Sequence, residues 1–111
     1  MIKKIKIGLI QSKSLGTIQS NIDLAIKNIK KAAKKKAKII CLPELFLTNY
    51  FCQTESHSNF KLAEKIPGTT SRIFCDLAKE LGVILNITMF EKKTSGFYHN
   101  TSIIINENGN I

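Results

Sequence analysis

The stretch Ile39-Ile40-Cys41-Leu42-Pro43-Glu44-Leu45-Phe46 decides how this chain is read. An apolar run leads straight into Pro43, and a carboxylate follows at once. Pro neither donates to a β ladder nor continues inside a sheet, so the pattern predicts a buried strand that stops there. Glu44 is thereby held at a strand's C-terminal end, where open α/β sheets place their ligands. Flanked by Leu42, Leu45 and Phe46, its side chain is expected to be partly desolvated, which suits a carboxyl group to general-base work near neutral pH. A strand-end Glu that merely faces water fits the same local pattern, and these eight residues alone do not separate the two.

Upstream, Ile5, Ile7 and Leu9 alternate with Lys4, Lys6 and Gly8 and run into Ile10-Gln11, a first strand with one buried face that becomes fully buried at its end. After the turn Ser14-Leu15-Gly16-Thr17, residues Ile22, Ala25, Ile26, Ile29, Ala32 and Ala33 form the apolar stripe of a helix. Lys27, Lys30, Lys31, Lys34 and Lys35 fall mainly off that stripe and read as a solvated outer face. Downstream, residues 46–66 lack a period and read as a long loop with short helical turns. Thr69 or Thr70 can cap a second helix, whose stripe is Ile73, Phe74, Leu77, Ala78 and Leu81 and whose end is Gly82. Val83 to Phe90 and Tyr98 to Ile105 are a third and a fourth strand. The pair Asn108-Gly109 marks a tight hairpin turn, with Ile111 entering a returning strand. The order β-α-β-α-β-β makes this an α/β chain.

Composition narrows the classes. A chain of 111 residues is one domain at most and buries about two thirds of its extended surface. Lys and Arg number 17 against 8 Asp and Glu, a formal charge of +9. That balance raises a basic nucleic-acid-binding domain as one class. Arg72 is the single Arg, however, whereas phosphate clamps and base readers favour the guanidinium fork. Aromatic residues are not interleaved with the lysines either, so specific nucleic-acid recognition is not expected. Cys41, Cys52 and Cys75 are odd in number and lack a C-x-x-C spacing, which argues against a disulfide framework or zinc site. Met1-Ile2-Lys3-Lys4 leads into too short an apolar run for a signal-peptide core, and no stretch approaches the roughly 18 apolar residues of a membrane span. These features predict a cytoplasmic protein.

A resemblance then covers almost the whole chain. Leu42-Pro43-Glu44-Leu45-Phe46 and Asn49-Tyr50-Phe51-Cys52-Gln53 resemble the first catalytic motif of the nitrilase, or carbon–nitrogen hydrolase, superfamily. Tyr50-Phe51-Cys52-Gln53 looks most like the N-carbamoylputrescine amidase branch. In the family's order come Leu62-Ala63-Glu64 with Ile66-Pro67-Gly68, then Leu77-Ala78-Lys79-Glu80-Leu81-Gly82-Val83, Phe90-Glu91 and Tyr98-His99-Asn100-Thr101. One departure is Lys36, just past the first helix, where the family usually has Gly; a Lys in a left-handed conformation there would cost about 1 kcal/mol.

The resemblance implies the N-terminal half of an α-β-β-α sandwich, with residues 1–111 a partial domain that stops in a hairpin. One apolar sheet face would lack its partner layer. The superfamily's chemistry uses a Glu, a Lys and a Cys, without a cofactor. Glu44 is then the general base, while Tyr50, Phe51, Cys52 and Gln53 form a substrate-binding wall. The Lys and Cys have no counterpart among these residues, so this chain alone is expected to be inactive. A homo-oligomer or a complementing C-terminal half is the partner so implied. A noncatalytic module that pairs with a full-length relative is the alternative from another class.

Local residues are not expected to replace the missing groups. Cys41, three positions before Glu44 in an extended strand, should face the opposite side of the pleat as a buried small hydrophobe, and Cys75 should be buried too. No His or Lys is placed to activate Cys52. His57 and His99 share no ligand spacing, so no metal is predicted. Glu91 reads as a structural ion pair, and Tyr98, Asn100 and Thr101 as residues that fix a strand entry rather than touch substrate.

Overall fold

The computed structural model describes residues 3–53 and 56–111. Its frame is a four-stranded sheet in the order β1 (Ile7–Leu9), β2 (Ile39–Cys41), β3 (Ile84–Thr94), β4 (Phe97–Ile105). The first two pairings are parallel and the last is antiparallel. Parallel neighbours need long crossovers, supplied by α1 (Ile18–Lys34) and α2 (Thr69–Leu81). Short 3₁₀ turns at Phe51–Gln53 and His57–Leu62 punctuate the long loop. The β-α-β-α-β-β order expected from the sequence is therefore present. Among the described residues, no helix is long and apolar enough to cross a membrane.

Both helices lie on one side of the sheet. Ile22, Ala25 and Ile29 of α1 and Phe74, Leu77 and Ala78 of α2 share one core with Ile40, Leu85, Ile87, Met89, Ile103 and Ile105. Gly8 belongs to this face, because a Cβ there would stand 3.1 Å from Ala32 Cβ and 3.3 Å from Ala37 Cβ. The small residue lets α1 close down on β1. Its alternation partners consequently point the other way, and the expectation of a buried Ile5, Ile7 and Leu9 is wrong: they are 62, 56 and 80 % exposed. With Ile104 of β4, 55 % exposed, they form an apolar patch on the sheet face that, among the described residues, no helix covers. Cys41 shares that face, since it pairs in register with Leu9 and Asn86. It is half-buried rather than a core residue.

The helix ends follow from local chemistry. At α1, the Thr17 hydroxyl accepts from the Ser20 amide at 3.1 Å and the Ser20 hydroxyl accepts from the Thr17 amide at 3.3 Å, a reciprocal cap. At its other end Lys36 adopts φ 72°, with Lys36 N donating to Ala33 O (2.9 Å) and Ala37 N to Ala32 O (3.1 Å). This is a Schellman closure built on a residue that carries a Cβ. Lys36→Gly is therefore expected to stabilise the fold by about 1 kcal/mol, read as a rise in melting temperature of a few degrees. An unchanged or lowered midpoint would show that the lysine gains something the left-handed strain conceals.

At α2 the expected Thr cap is replaced. Gly68 is the N-cap, its amide donating to Ser71 Oγ at 2.8 Å, and Thr70 turns its hydroxyl to the Glu64 carboxylate at 2.7 and 2.9 Å instead. Gly82 ends the helix at φ 63°. The turn around Asn108-Gly109 forms, closed by Asn106 N to Asn110 O at 2.8 Å, but the described residues after it enter no strand. Gly109, at φ 82°, lies so close to α2 that a Cβ would meet the Cys75 carbonyl at 2.8 Å.

Candidate active site

The site is built where β2 stops. Leu42 N still donates to Asn86 O of β3 at 3.1 Å, and Pro43 then ends the ladder. Two residues later the backbone enters the left-handed region at Leu45, φ 50°. A residue with a Cβ costs about 1–2 kcal/mol there. Burial of Leu45, Phe46 and Leu47, at 4, 8 and 7 % exposure, offsets that cost, because each apolar side chain removed from water contributes about 1.5–3 kcal/mol. The bend sends these three side chains into the core and leaves Glu44 on the uncovered sheet face. Glu44 is exposed, so the expected burial of its carboxylate among Leu42, Leu45 and Phe46 is not realised: Leu42 and Phe46 join the helix-covered core, while Leu45 and Phe46 also border the cavity beside Glu44.

Two neighbouring strands fix the position of the carboxylate. From β3, Thr88 Oγ1 accepts from Leu45 N at 2.8 Å and donates to Pro43 O at 3.5 Å, bracketing the Glu44 backbone on both sides. From β4, Asn100 Nδ2 donates to Glu44 Oε1 at 2.6 Å. Neither contact was legible as a site residue. The available signal was the polar alternation of Asn86 and Thr88 with Ser102 and Asn100, which the register places on the same face as Glu44.

Glu44 borders a cavity of about 240 Å³ with Ser12, Ser14, Thr48, Asn49 and Tyr50. The Glu44 carboxylate, and after it the Cys52 thiol, push the Tyr50 phenol above its ordinary range. Tyr50 thus stays a neutral hydroxyl beside the carboxylate through neutral pH. The predicted wall of Tyr50, Phe51, Cys52 and Gln53 is divided by the structure. Phe51 and Cys52 line a separate, larger cavity of about 440 Å³ with His57, Asn59, Phe60 and Phe90. Gln53 sits in the first 3₁₀ turn by its backbone, and its side chain lies outside the described residues.

An aromatic cluster holds the loop against the hairpin. The Phe60 ring lies 4.5 Å from that of Tyr98 and the Phe51 ring 5.0 Å from that of Phe90. Tyr98 therefore anchors the loop rather than only a strand entry. Glu64 adds a parallel bridge to β3, with Glu64 N donating to Phe90 O (2.9 Å) and Lys92 N to Glu64 O (2.8 Å). Glu91, expected in an ion pair, is held by the Thr101 hydroxyl at 2.7 Å.

The other candidate groups do not gather around Glu44. Cys75 lies on α2, where burial first and Asp76 second push its thiol up, away from nucleophilic use. Cys41 is on the same side of the sheet as Glu44, contrary to the expected opposition. The pleat argument holds only inside an extended strand, and the strand ends at Cys41. Among the described residues, no three His, Cys, Asp or Glu side chains are grouped to hold a metal ion. The arrangement offers an oriented carboxylate on an open sheet face, able to take up a proton and hand it on at one fixed point.

Residues 6–111 match the family model for carbon-nitrogen hydrolase. An N-carbamoylputrescine amidase of Oryza sativa subsp. japonica is 33% identical over 91% of this chain and 34% of its own length. An omega-amidase of Xenopus laevis is 32% identical over 97% of this chain and 38% of its own length. The chain thus spans little more than a third of these relatives. A solved carbon-nitrogen hydrolase from Helicobacter pylori G27 superposes with a TM-score of 0.88 at 31% identity, over 95% of this chain and 36% of that one. A match across nearly all residues, together with a shared strand and helix arrangement, places this chain in the carbon–nitrogen hydrolase family of the nitrilase superfamily.

Proposed function

We propose that this chain supplies the general base of a thiol amidohydrolase that cleaves non-peptide C–N bonds, and that the base is Glu44. The observation that supports it is the placement of that carboxylate at the C-terminal end of β2, fixed through Thr88 and Asn100 on the uncovered sheet face. A Cys and a Lys from outside these 111 residues complete the site. The Cys thiol gives its proton to Glu44 and attacks the carbamoyl carbon. Glu44 passes the proton to the departing ammonia, while the Lys ammonium and a backbone N–H hold the oxyanion. Water then cleaves the thiocarbamate so formed, regenerating the thiol and releasing a carbamic acid, which loses carbon dioxide to leave the free amine. No cofactor enters these steps.

The substrate we propose is N-carbamoylputrescine, hydrolysed to putrescine, carbon dioxide and ammonia in polyamine biosynthesis. Similarity to named N-carbamoylputrescine amidases supports it, with Tyr50 on the wall of the Glu44 cavity, Phe51 and Cys52 on that of the neighbouring cavity, and Gln53 the fourth wall residue we propose. The test compares N-carbamoylputrescine with a linear ω-amide of a dicarboxylic acid, using the chain assembled with the region that carries the Lys and Cys. We expect kcat/KM to favour the carbamoyl amine by at least about 10²-fold. A reversed ratio would reassign the substrate to the omega-amidase class.

The exposed face of Ile5, Ile7, Leu9 and Ile104 also supports a second reading, a noncatalytic module that docks on a full-length relative. In that case the chain co-purifies with the relative and alters its assembly without adding turnover.

A further inference from the structure

We infer that Asn100 is a positioning residue that aims the Glu44 carboxylate, an inference that rests on Glu44 being the base. The two residues are far apart in sequence and stand on opposite sides of β3, yet Asn100 Nδ2 reaches Glu44 Oε1 at 2.6 Å. A short bond from an amide N–H₂ to an ionised carboxylate is of the stronger, charge-assisted kind. It engages Oε1, and among the described residues no hydrogen bond to Oε2 accompanies it.

The physical need for such a contact follows from exposure. A solvent-facing Glu side chain has up to about 2 kcal/mol of rotamer freedom to lose when it is fixed. Thr88 fixes only the backbone on either side of Glu44. Asn100 supplies the remaining constraint, at the carboxylate itself, before any substrate arrives. Its own place is set by the β3–β4 register, which pairs it with Phe90, and one step along Ser102 Oγ donates to Asn86 Oδ1 at 2.7 Å. The donor is also neutral. A cation in the same place would orient Glu44 but hold it more firmly in the ionised form, weakening it as a base.

The experiment uses the assembled enzyme, this chain together with the region bearing the Lys and Cys. Asn100→Ala is expected to lower kcat about 10- to 100-fold with KM within about threefold, the scale of a misplaced catalytic group. The melting temperature of this chain by itself should be nearly unchanged, because Asn100 is exposed there. Asn100→Asp keeps the shape but replaces the donor with a second carboxylate, and should be slower still. The deciding readout is the double variant. If Asn100 acts through Glu44, Glu44→Gln with Asn100→Ala is no slower than Glu44→Gln alone. Losses that multiply, or a kcat for Asn100→Ala or Asn100→Asp equal to that of the unsubstituted enzyme, overturn the inference. Undiminished turnover in Glu44→Gln overturns the base assignment itself, a separate failure.

Discussion

Glu44→Gln is expected to lower the kcat of the assembled amidohydrolase by about 10³-fold, inside the range typical of general acid–base catalysis. That factor corresponds to about 4 kcal/mol of transition-state stabilisation. The amide keeps nearly the same volume and can still accept from Asn100, so geometry survives while the proton relay is lost. Both halves of that relay fail, since Gln neither takes the thiol proton nor returns it to ammonia. KM should move little, because the proton transfer belongs to the transition state rather than to ground-state binding. Folding of this chain by itself should hardly respond: Glu44 is exposed there, and surface substitutions usually stay within about 0.5 kcal/mol. Steady-state kinetics beside a thermal melt separate the two effects. A Glu44→Gln enzyme within tenfold of the original kcat would mean that another group is the base.

The elements of this fold were legible wherever one chain segment carried its own signal. Pro43 ended β2, the spacing from Ile22 to Ala33 gave α1, and Gly82 closed α2. Readings failed where a choice depended on a distant partner. Ile5, Ile7 and Leu9 alternate as a half-buried strand must, but periodicity says only that one side is apolar. Gly8 decided which side α1 would cover, through its closeness to Ala32 and Ala37. The same limit applies at the site. Glu44 was visible because Pro43 announced a strand end, whereas its immediate partners arrive from β3 and β4 through register. Leu45 was hidden for a different reason. A leucine has no intrinsic preference for φ 50°, and only the gain from burying Leu45 to Leu47 makes that conformation tolerable.

Alone, this chain is expected to release no ammonia above background, and adding a polypeptide that bears the Lys and Cys should restore turnover by orders of magnitude. A base without its nucleophile and oxyanion donor retains little of a unit whose members act together. We propose the exposed face as the surface on which that assembly occurs. Burying Ile5, Ile7, Leu9 and Ile104 would contribute at most about 6–12 kcal/mol, taking about 1.5–3 for each side chain. Association costs about 4–15 kcal/mol in lost rigid-body freedom, so little surplus remains from these four residues. Even the largest gain set against the smallest cost leaves only about 8 kcal/mol, so restored activity should saturate at about 1 μM or above, rather than at nanomolar concentrations. A charge on that face, as in Leu9→Asp, should weaken assembly and shift the titration to higher concentration while leaving the saturated rate intact. Turnover by the unaccompanied chain would sink this account and direct attention to Cys41, which shares the face of Glu44, with Cys41→Ser deciding whether its thiol is the nucleophile.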